Sequence, residues 1–563
     1  MPATSGAARP LAHFRPRGTR LLAGGLLVIF ALALLLRLLE AARSYDIFVD
    51  EISYTNIAIN LANGHGLVLY GEPFALHPPA GFAVLAVVVK LFGLHGGTES
   101  TLYALRSVTA LAGALVPAAI AFVVSRAAPW WAAVAAGLVV ALDPFAILYD
   151  SRVMLEPLAQ APTAGMVACL AVACRRPASR PNWLALMGAG VLAATALSTK
   201  ETFGLVVLAT LVVLLLTQLV VPRRQALLVL ATAVAGYGIC AGLTIASMGW
   251  APWWSAQSSD VLRGVGSKQV TGFNAPTTHV SLLSRAFADG SQFAMTYLVL
   301  AFGSLAAALL LWRLRPWTRA GDPGAHRAAS AVPGPVGALL AIWGLCAAAY
   351  LAYATLFGTI EEQMYYIALA PATACLCLLV AGVRPSAWQW KRAGVAVLLS
   401  ALLVFDATVW AVVHTRPDDE YRVFLKWEAK HVAAGSVISA TENTGEFLIH
   451  NAVLGQWVTL AALRRHKVDY VLLSTLLVAQ GYAVGSPAFF HLVEHRGVLV
   501  FSVAGPTDGK LQLYDVRELW KRSEVGKKRP PRLAQPRKPS PLLRYRKVGV
   551  GVAPRSASGT PQG

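Results

Sequence analysis

The sequence predicts a polytopic α-helical membrane protein with a small α/β domain after its last membrane span. Hydrophobic residues make up 56% of the chain and the mean hydropathy is +0.57, above the usual range of soluble globular proteins. Apolar runs of about 18 or more residues recur, each long enough to cross a hydrocarbon core of roughly 30 Å. From about residue 415, short β-branched runs alternate with helical stretches, which indicates an α/β domain.

The first apolar run, "LLAGGLLVIFALALLLRLLE", follows Arg15, Arg17 and Arg20. A signal peptide also begins with basic residues, but its apolar region is shorter and ends at a small-residue cleavage site. We therefore interpret this run as a retained anchor and as the first of about eleven transmembrane helices. These are predicted near 21–40, 103–125, 130–148, 157–174, 183–199, 203–221, 226–247, 292–312, 335–357, 364–382 and 393–413.

The loop charges predict the orientation of these spans. Basic residues favour the cytosolic side of a membrane, so the arginines before residue 21 place the N-terminus in the cytosol. Alternation from there puts the remaining arginine-rich loops, such as the one with Arg223 and Arg224, in the cytosol as well. The outer loops then receive most acids of the membrane region: Asp50, Glu51, Glu72, Asp150, Glu156, Glu201, Asp260, Glu361 and Glu362.

One apolar segment, "HPPAGFAVLAVVVKLFGLHGG", is too short to be counted as a span. Its apolar part of about 15 residues would extend roughly 22 Å as a helix. A crossing here would also invert every later loop and expose the arginine pairs outside. We predict an interfacial helix within a long first outer loop, residues 42–102.

The chain is thus divided into a basic cytosolic N-terminus (1–20), a transmembrane module (21–414), an extracytoplasmic α/β domain (415–520) and a basic tail (521–563). The tail holds twelve Lys or Arg against one Glu, a large part of the net charge of +20, and its composition is typical of disorder. Overall, we expect a multi-pass protein of the plasma (inner) membrane with its C-terminal domain outside.

The six cysteines fall in or beside apolar runs and none lies in the predicted soluble domain. This distribution favours buried, inert thiols over a disulfide framework or a zinc site. No other metal-ligand pattern stands out, so no metal ligands are predicted.

Ionisable residues gather at the predicted outer face, in the first outer loop and at the outer ends of spans. Such groups cost a few kcal/mol near hydrocarbon unless they are paired or in a wet cavity, and so they mark functional sites. Polar residues also cluster wherever spans meet water, which is the simpler explanation for any one of them. The set comprises Asp50, Glu51, His77, Arg106, Arg152, Glu156 and Lys200.

The chemistry of this set suits a phosphate-linked substrate. Arg106, Arg152 and Lys200 could hold a phosphate, and Asp50 or Glu51 could draw a proton from a hydroxyl as a general base. A lipid-linked phosphosugar needs both functions at the outer membrane surface. Its phosphate leaves readily once the negative charge is neutralised, so no acid needs to protonate it.

Several short segments in order resemble the glycosyltransferase C superfamily: "VDEISY", "GEPFALHPPAGFAVL", "YALRSVTALAGALVPAAIAFVV", "DPFAILYDSRVMLEPL" and "ALSTKETF". They are most similar to the dolichyl-phosphate-mannose protein mannosyltransferases and the lipid A aminoarabinose transferases. The resemblance covers about residues 20–415. The mannosyltransferases' soluble repeat domain between later spans is missing from the pattern, and the C-terminal part is similar to bacterial and archaeal members.

The resemblance implies a role for each residue of the set. Asp50 and Glu51 match the acidic pair that supplies the catalytic carboxylate, with Asp50 the preferred base. His77 matches the basic residue before Pro-Pro. The superfamily's other substrate-binding residues correspond in this chain to Arg106, Arg152, Glu156 and Lys200.

The implied reaction is an inverting sugar transfer from a polyprenyl-phosphate donor to an acceptor hydroxyl. The acceptor is left open among glycan, lipid and protein. Membrane lipids are the other expected partners, and no nucleic acid is expected. Some members of the superfamily need a divalent cation, so a cation stays open as a cofactor.

Two other classes of function compete with this hypothesis. A transporter or flippase of a lipid-linked envelope precursor would place its ionisable residues near the bilayer midplane, whereas here they lie at one face. A non-catalytic envelope scaffold would leave Arg106 and Lys200 unexplained. The segment Trp250–Trp254 is typical of an interface anchor, and the loop 255–290 after it could cover the donor.

Overall fold

A computed structural model describes most of the chain in nine stretches: residues 16–94, 96–174, 181–267, 282–313, 334–358, 360–382, 389–449, 452–480 and 483–521. The basic N-terminus up to residue 15, the tail after residue 521 and the middle of the predicted covering loop lie outside these stretches. So do the arginines of three predicted cytosolic loops: Arg175, Arg176, Arg180, Arg315, Arg319 and Arg384.

The membrane module consists of helices joined by short loops. The described helices outside the first outer loop are α1 (Pro16–Leu38), α5 (Thr98–Ser125), α6 (Trp130–Leu142), α7 (Pro144–Asp150), α8 (Leu155–Ala173), α9 (Trp183–Leu197), α10 (Glu201–Thr217), α11 (Arg223–Met248), α12 (Trp250–Gly264), α13 (Leu282–Arg313), α14 (Pro335–Leu356), α15 (Tyr366–Ala381) and α16 (Gln389–Thr415). A 3-10 turn, Glu362–Tyr365, precedes α15.

Within the described residues, eight helices are long and apolar enough to cross a membrane, or nine if the bent pair α6–α7 forms one span. The chain is therefore a multi-pass membrane protein. The predicted count of eleven also needs α9 and α10, which are shorter apolar helices, so that count stays a prediction. The predicted interfacial helix corresponds to α4 (Ala80–Leu91), whose 12 residues extend only about 18 Å.

The break between α6 and α7 has a local cause. The two helices meet at 57°, where Asp143 caps the second helix by accepting a hydrogen bond from the Ala146 amide at 2.8 Å. Pro144 occupies the first position of α7, where a missing N–H costs no hydrogen bond. Asp and Pro together therefore start a new helix inside an apolar run.

A buried ion pair joins three helices of the module. The Nε of Arg37 on α1 donates to Asp150 at the end of α7 over 2.6 Å, and Tyr366 at the start of α15 donates to the same carboxylate. A Cβ on Gly113 would lie 2.1 Å from the Asp150 carboxyl carbon, so α5 needs glycine at this contact.

The first outer loop carries two helices and a small hairpin before α4. Helix α2 spans Ala41–Ser44 and α3 spans Val49–Ala62. Strands β1 (Val68–Leu69) and β2 (Glu72–Pro73) pair antiparallel.

The residues after α16 contain a five-stranded mixed sheet with the order β4-β3-β5-β7-β6. Its strands are β3 (Val437–Ala440), β4 (Val453–Gly455), β5 (Tyr470–Ser474), β6 (Val498–Gly505) and β7 (Gly509–Asp515). Strand β3 is parallel to β4 and β5, and β7 is antiparallel to β5 and β6. The helices are α17 (Glu420–His431), α18 (Asn443–Leu448), α19 (Leu460–Arg465), α20 (Thr475–Gln480), α21 (Pro487–Arg496) and α22 (Arg517–Lys521).

The first outer loop packs directly on this C-terminal part. The Asp418 amide donates to the Arg43 carbonyl over 2.8 Å. The Tyr70 ring of the hairpin region stacks on Phe447 of α18, with their centroids 4.3 Å apart. The loop that carries the predicted catalytic acids is therefore held between the membrane helices and the sheet.

Candidate active site

Asp50 lies in the first turn of α3 and is half-buried. Among the described residues it accepts no hydrogen bond, so its carboxylate oxygens are open to a ligand. Burial raises the pKa of Asp50 to about 6, with a further increase from Glu361 and Glu156, against the lowering effect of Lys200. A carboxyl group with this pKa is ionised at neutral pH but more basic than an ordinary aspartate.

Glu51, the next residue, is fully buried and differs from Asp50 in every contact. Its carboxylate accepts two hydrogen bonds from Arg106, at 2.8 and 2.9 Å, and one each from the backbone amides of Phe48 and Val153. These contacts occupy both oxygens. Glu51 therefore fixes the start of α3 and has no free oxygen with which to take a proton.

Arg106 on α5 completes this arrangement. Besides Glu51, its guanidinium donates to the carbonyls of Ala41 and Tyr45 at 2.7 and 2.9 Å and to that of Asp46 at 3.4 Å. The residue is 3% exposed. Its N–H groups are thus directed at the first outer loop, which leaves none for the phosphate contact expected from the sequence.

Lys200 and Glu156 form a second buried ion pair close to Asp50. Lys200 precedes α10, and its ammonium group contacts Glu156 in the first turn of α8. The second carboxylate oxygen of Glu156 is buried and has no hydrogen-bond partner in the part of the chain that the structure describes. The positive charge of Lys200 opposes the rise in the pKa of Asp50. The predicted base and this cation are therefore close enough to contact the same bound substrate.

His77 joins the same site through Glu201. Its Nδ1 lies 3.0 Å from a Glu201 carboxylate oxygen, and its ring packs edge-on against Tyr54 with centroids 5.9 Å apart. Burial opposes a charge on the ring, but Glu201 outweighs burial and raises the pKa of His77. The imidazole therefore carries more positive charge near neutral pH than an ordinary histidine.

A narrow groove opens next to His77. It is bordered by Tyr237 of α11 and Trp253 of α12, and Gln257 of α12 donates to the Ala75 carbonyl over 2.7 Å. The amphipathic helix α12 is thereby fixed against the first outer loop. On the same helix, Trp250 and Trp254 are stacked and more than half exposed, as an interface anchor requires.

Arg152 lies against two aromatic rings at the start of the first outer loop. Its guanidinium carbon lies 5.7 Å from the Phe48 ring and 6.0 Å from the Tyr45 ring. Burial raises the pKa of Asp508 in the C-terminal part, and the charge of Arg152 opposes this rise. The residue is 9% exposed and makes no hydrogen bond to a described residue. Its N–H groups remain open to an anion.

Three further acids around His77 and Asp50 were not singled out from the sequence as site residues. Glu361 accepts from Arg263 at 3.0 Å, Glu201 holds His77, and Asp260 of α12 has a pKa raised to about 6 by burial and by Glu201. They lie at separate places in the chain: Glu201 directly follows Lys200, Asp260 lies within α12, and Glu361 precedes the 3-10 turn, so only Glu201 adjoins a residue singled out from the sequence. Glu361 lies in the acidic and aromatic segment "EEQMYY", directly before the apolar run of α15, and this pattern could have marked it in the sequence.

Comparisons with known proteins agree with this architecture. A family model described as "Dolichyl-phosphate-mannose-protein mannosyltransferase" matches residues 76–241. The oligosaccharyltransferase AglB from Archaeoglobus fulgidus, solved with an inhibitory peptide and a dolichol-phosphate, is 12% identical over 88% of this chain and 74% of that chain, with a TM-score of 0.53. No curated protein matches in sequence.

ArnT from Cupriavidus metallidurans, solved with bound undecaprenyl phosphate, is 14% identical over 88% of this chain and 97% of that chain, with a TM-score of 0.51. At these identities the likeness defines a shared fold. The chain has the glycosyltransferase C fold, and the resemblance drawn from its sequence is confirmed.

Proposed function

We propose that the protein is a membrane glycosyltransferase that moves a sugar from a polyprenyl-phosphate donor to an acceptor hydroxyl on the extracytoplasmic face. The main support is Asp50, a half-buried carboxylate with a pKa of about 6 and no hydrogen-bond donor among the described residues. The lipid phosphates in the structures of AglB and ArnT support the donor class. The loop charges support the face.

In this reaction Asp50 takes the proton of the acceptor hydroxyl. The acceptor oxygen forms a bond to the anomeric carbon while the bond from that carbon to the phosphate oxygen breaks with its electron pair. Polyprenyl phosphate leaves, and a single displacement inverts the anomeric centre. A positioned general base contributes roughly 10²–10⁴-fold to such a step.

Lys200 is the cation best placed to neutralise the leaving phosphate, since its charge acts on Asp50 across the same site. Arg152 keeps free N–H groups and lies against Phe48, two residues before Asp50, and so remains a second phosphate ligand in the proposal. His77 and Glu156 would set the charge around the donor. Glu51 and Arg106 would act as positioning residues.

The direct test uses the full chain, purified into nanodiscs and incubated with a panel of polyprenyl-phosphate sugars and an extract of envelope glycans. Mass spectrometry measures free polyprenyl phosphate and glycosylated product. We expect release of the lipid phosphate to depend on both one donor and an acceptor. Transport of intact donor across proteoliposomes, without any release, would contradict the proposal and favour a flippase.

A further inference from the structure

Carboxyl groups from distant segments meet where the first outer loop contacts the C-terminal part. Asp46 precedes α3, Glu420 begins α17, and Asp508 lies in the turn between β6 and β7. One carboxylate oxygen from each lies within 4.8 Å of the other two. Their exposed fractions are only 1%, 1% and 2%, respectively. A fourth acid, Asp418, is also buried next to them.

Two of the four carboxylates have hydrogen-bond donors. Asp46 accepts from the amides of Ile47 at 2.8 Å and Tyr421 at 3.1 Å. Asp418 accepts from the amide and the hydroxyl of Thr507, both at 2.9 Å. These contacts hold the loop, the start of α17 and the β6–β7 turn in one place.

The other two carboxylates are only partly supplied with partners: the Ser474 hydroxyl and Asp46 lie within hydrogen-bond range of Asp508, and Asp418 lies within range of Glu420. Among the described residues, no N–H or hydroxyl group donates to either oxygen of Glu420 or to one oxygen of Asp508, and all three oxygens are buried. A Cβ on Gly505 would lie 1.9 Å from a Glu420 carboxylate oxygen, so the side chain is packed against backbone and directed into the cluster. A buried polar group without a partner is costly, and a buried charge more so.

Nearby cations do not balance this charge. None of the four acids forms an ion pair within 4 Å in the described part of the chain. The guanidinium of Arg152 acts on Asp508, but one positive charge would not compensate for four carboxyl groups in their ionised form. Arg106 is already paired with Glu51.

We propose that Asp46, Glu420 and Asp508 bind one hard divalent cation, Ca²⁺ or Mg²⁺, which joins the first outer loop to the C-terminal part. Ligands that are all carboxylate oxygens suit these ions, whereas zinc and copper prefer imidazole and thiolate. The cation would hold residue 46, four residues before Asp50, and so fix the start of α3. This site is separate from Asp50 and does not depend on the proposed reaction.

The test uses the full chain in nanodiscs, stripped with EDTA and then titrated with CaCl₂ or MgCl₂. Elemental analysis measures bound metal per chain, and tryptophan fluorescence measures the melting temperature Tm. We expect one retained equivalent of Ca²⁺ or Mg²⁺ and a rise in Tm of several degrees over the stripped protein. Hydrogen exchange of residues 44–50 should slow on metal addition.

Glu420→Gln and Asp508→Asn, made separately, should each abolish the metal-dependent rise in Tm and the retained equivalent. Glu494→Gln, an exposed acid on α21, makes the same charge change and should leave both unchanged. A wild-type Tm that is identical in EDTA, Ca²⁺ and Mg²⁺ would overturn the proposal and assign the neutralising role to protons. Persistence of the metal response in both cluster variants would overturn it as well.

Discussion

Neutralising Glu51 should lower the stability of the protein, whereas neutralising its neighbour Asp50 should lower the transfer rate and leave the stability unchanged. The first of these two predictions concerns Glu51→Gln. In the structure, the Glu51 carboxylate accepts two hydrogen bonds from Arg106 and two from backbone amides. The substitution keeps the shape of the side chain but leaves the guanidinium, 3% exposed, as a buried charge without its partner. Breaking a buried ion pair in this way costs about 3–5 kcal/mol.

The assay is thermal unfolding of the purified variant, followed by size-exclusion fluorescence. We expect Glu51→Gln to lower Tm by several degrees, while Glu72→Gln, an exposed acid of the same loop, leaves Tm unchanged. Adding Arg106→Met to Glu51→Gln removes the unpaired charge and should recover part of the loss, because neighbouring residues are not additive. A Glu51→Gln protein with wild-type Tm and no transfer activity would refute the reasoning and make Glu51 the base.

The remaining predictions concern the cations and acids around Asp50. Because the base form of Asp50 is lost as pH falls through its pKa of about 6, kcat/KM should fall about tenfold per pH unit well below that pH. The Asp260→Asn variant should show the same fall in kcat/KM at low pH. If the fall disappears in that variant, the titrating group is Asp260 and not Asp50. Lys200→Met with Glu156→Gln removes the buried pair together, so Tm should be kept while kcat drops by about 10²–10³. Unchanged kcat in that double variant would exclude Lys200 from phosphate neutralisation.

The membrane helices and the neighbourhood of Asp50 could be predicted from the sequence for a simple reason. In a chain with 13% charged residues, an ionisable group beside an apolar run stands out, and loop charges sort the groups by face. Asp50, Lys200, Glu156 and His77 were found in this way, and the structure brings them together.

The pairing of these groups could not be predicted, since it depends on side-chain contacts between distant helices. Arg106 lies 55 residues from Glu51 in sequence, and nothing local shows that it binds that acid instead of a phosphate. The carboxylates of Asp46, Glu420 and Asp508 meet only after the sheet has packed on the first outer loop. Residue spacing therefore carries no signal for their cluster.

A single-turnover assay of Asp50→Asn measures whether Asp50 is the base in transfer from a polyprenyl-phosphate sugar. The variant is compared with wild type and Glu72→Gln at equal amounts of folded protein in nanodiscs, and released polyprenyl phosphate is measured. We predict wild-type Tm, unchanged donor binding and a rate at least 10²-fold lower in Asp50→Asn. Wild-type release by Asp50→Asn would exclude Asp50 as the base.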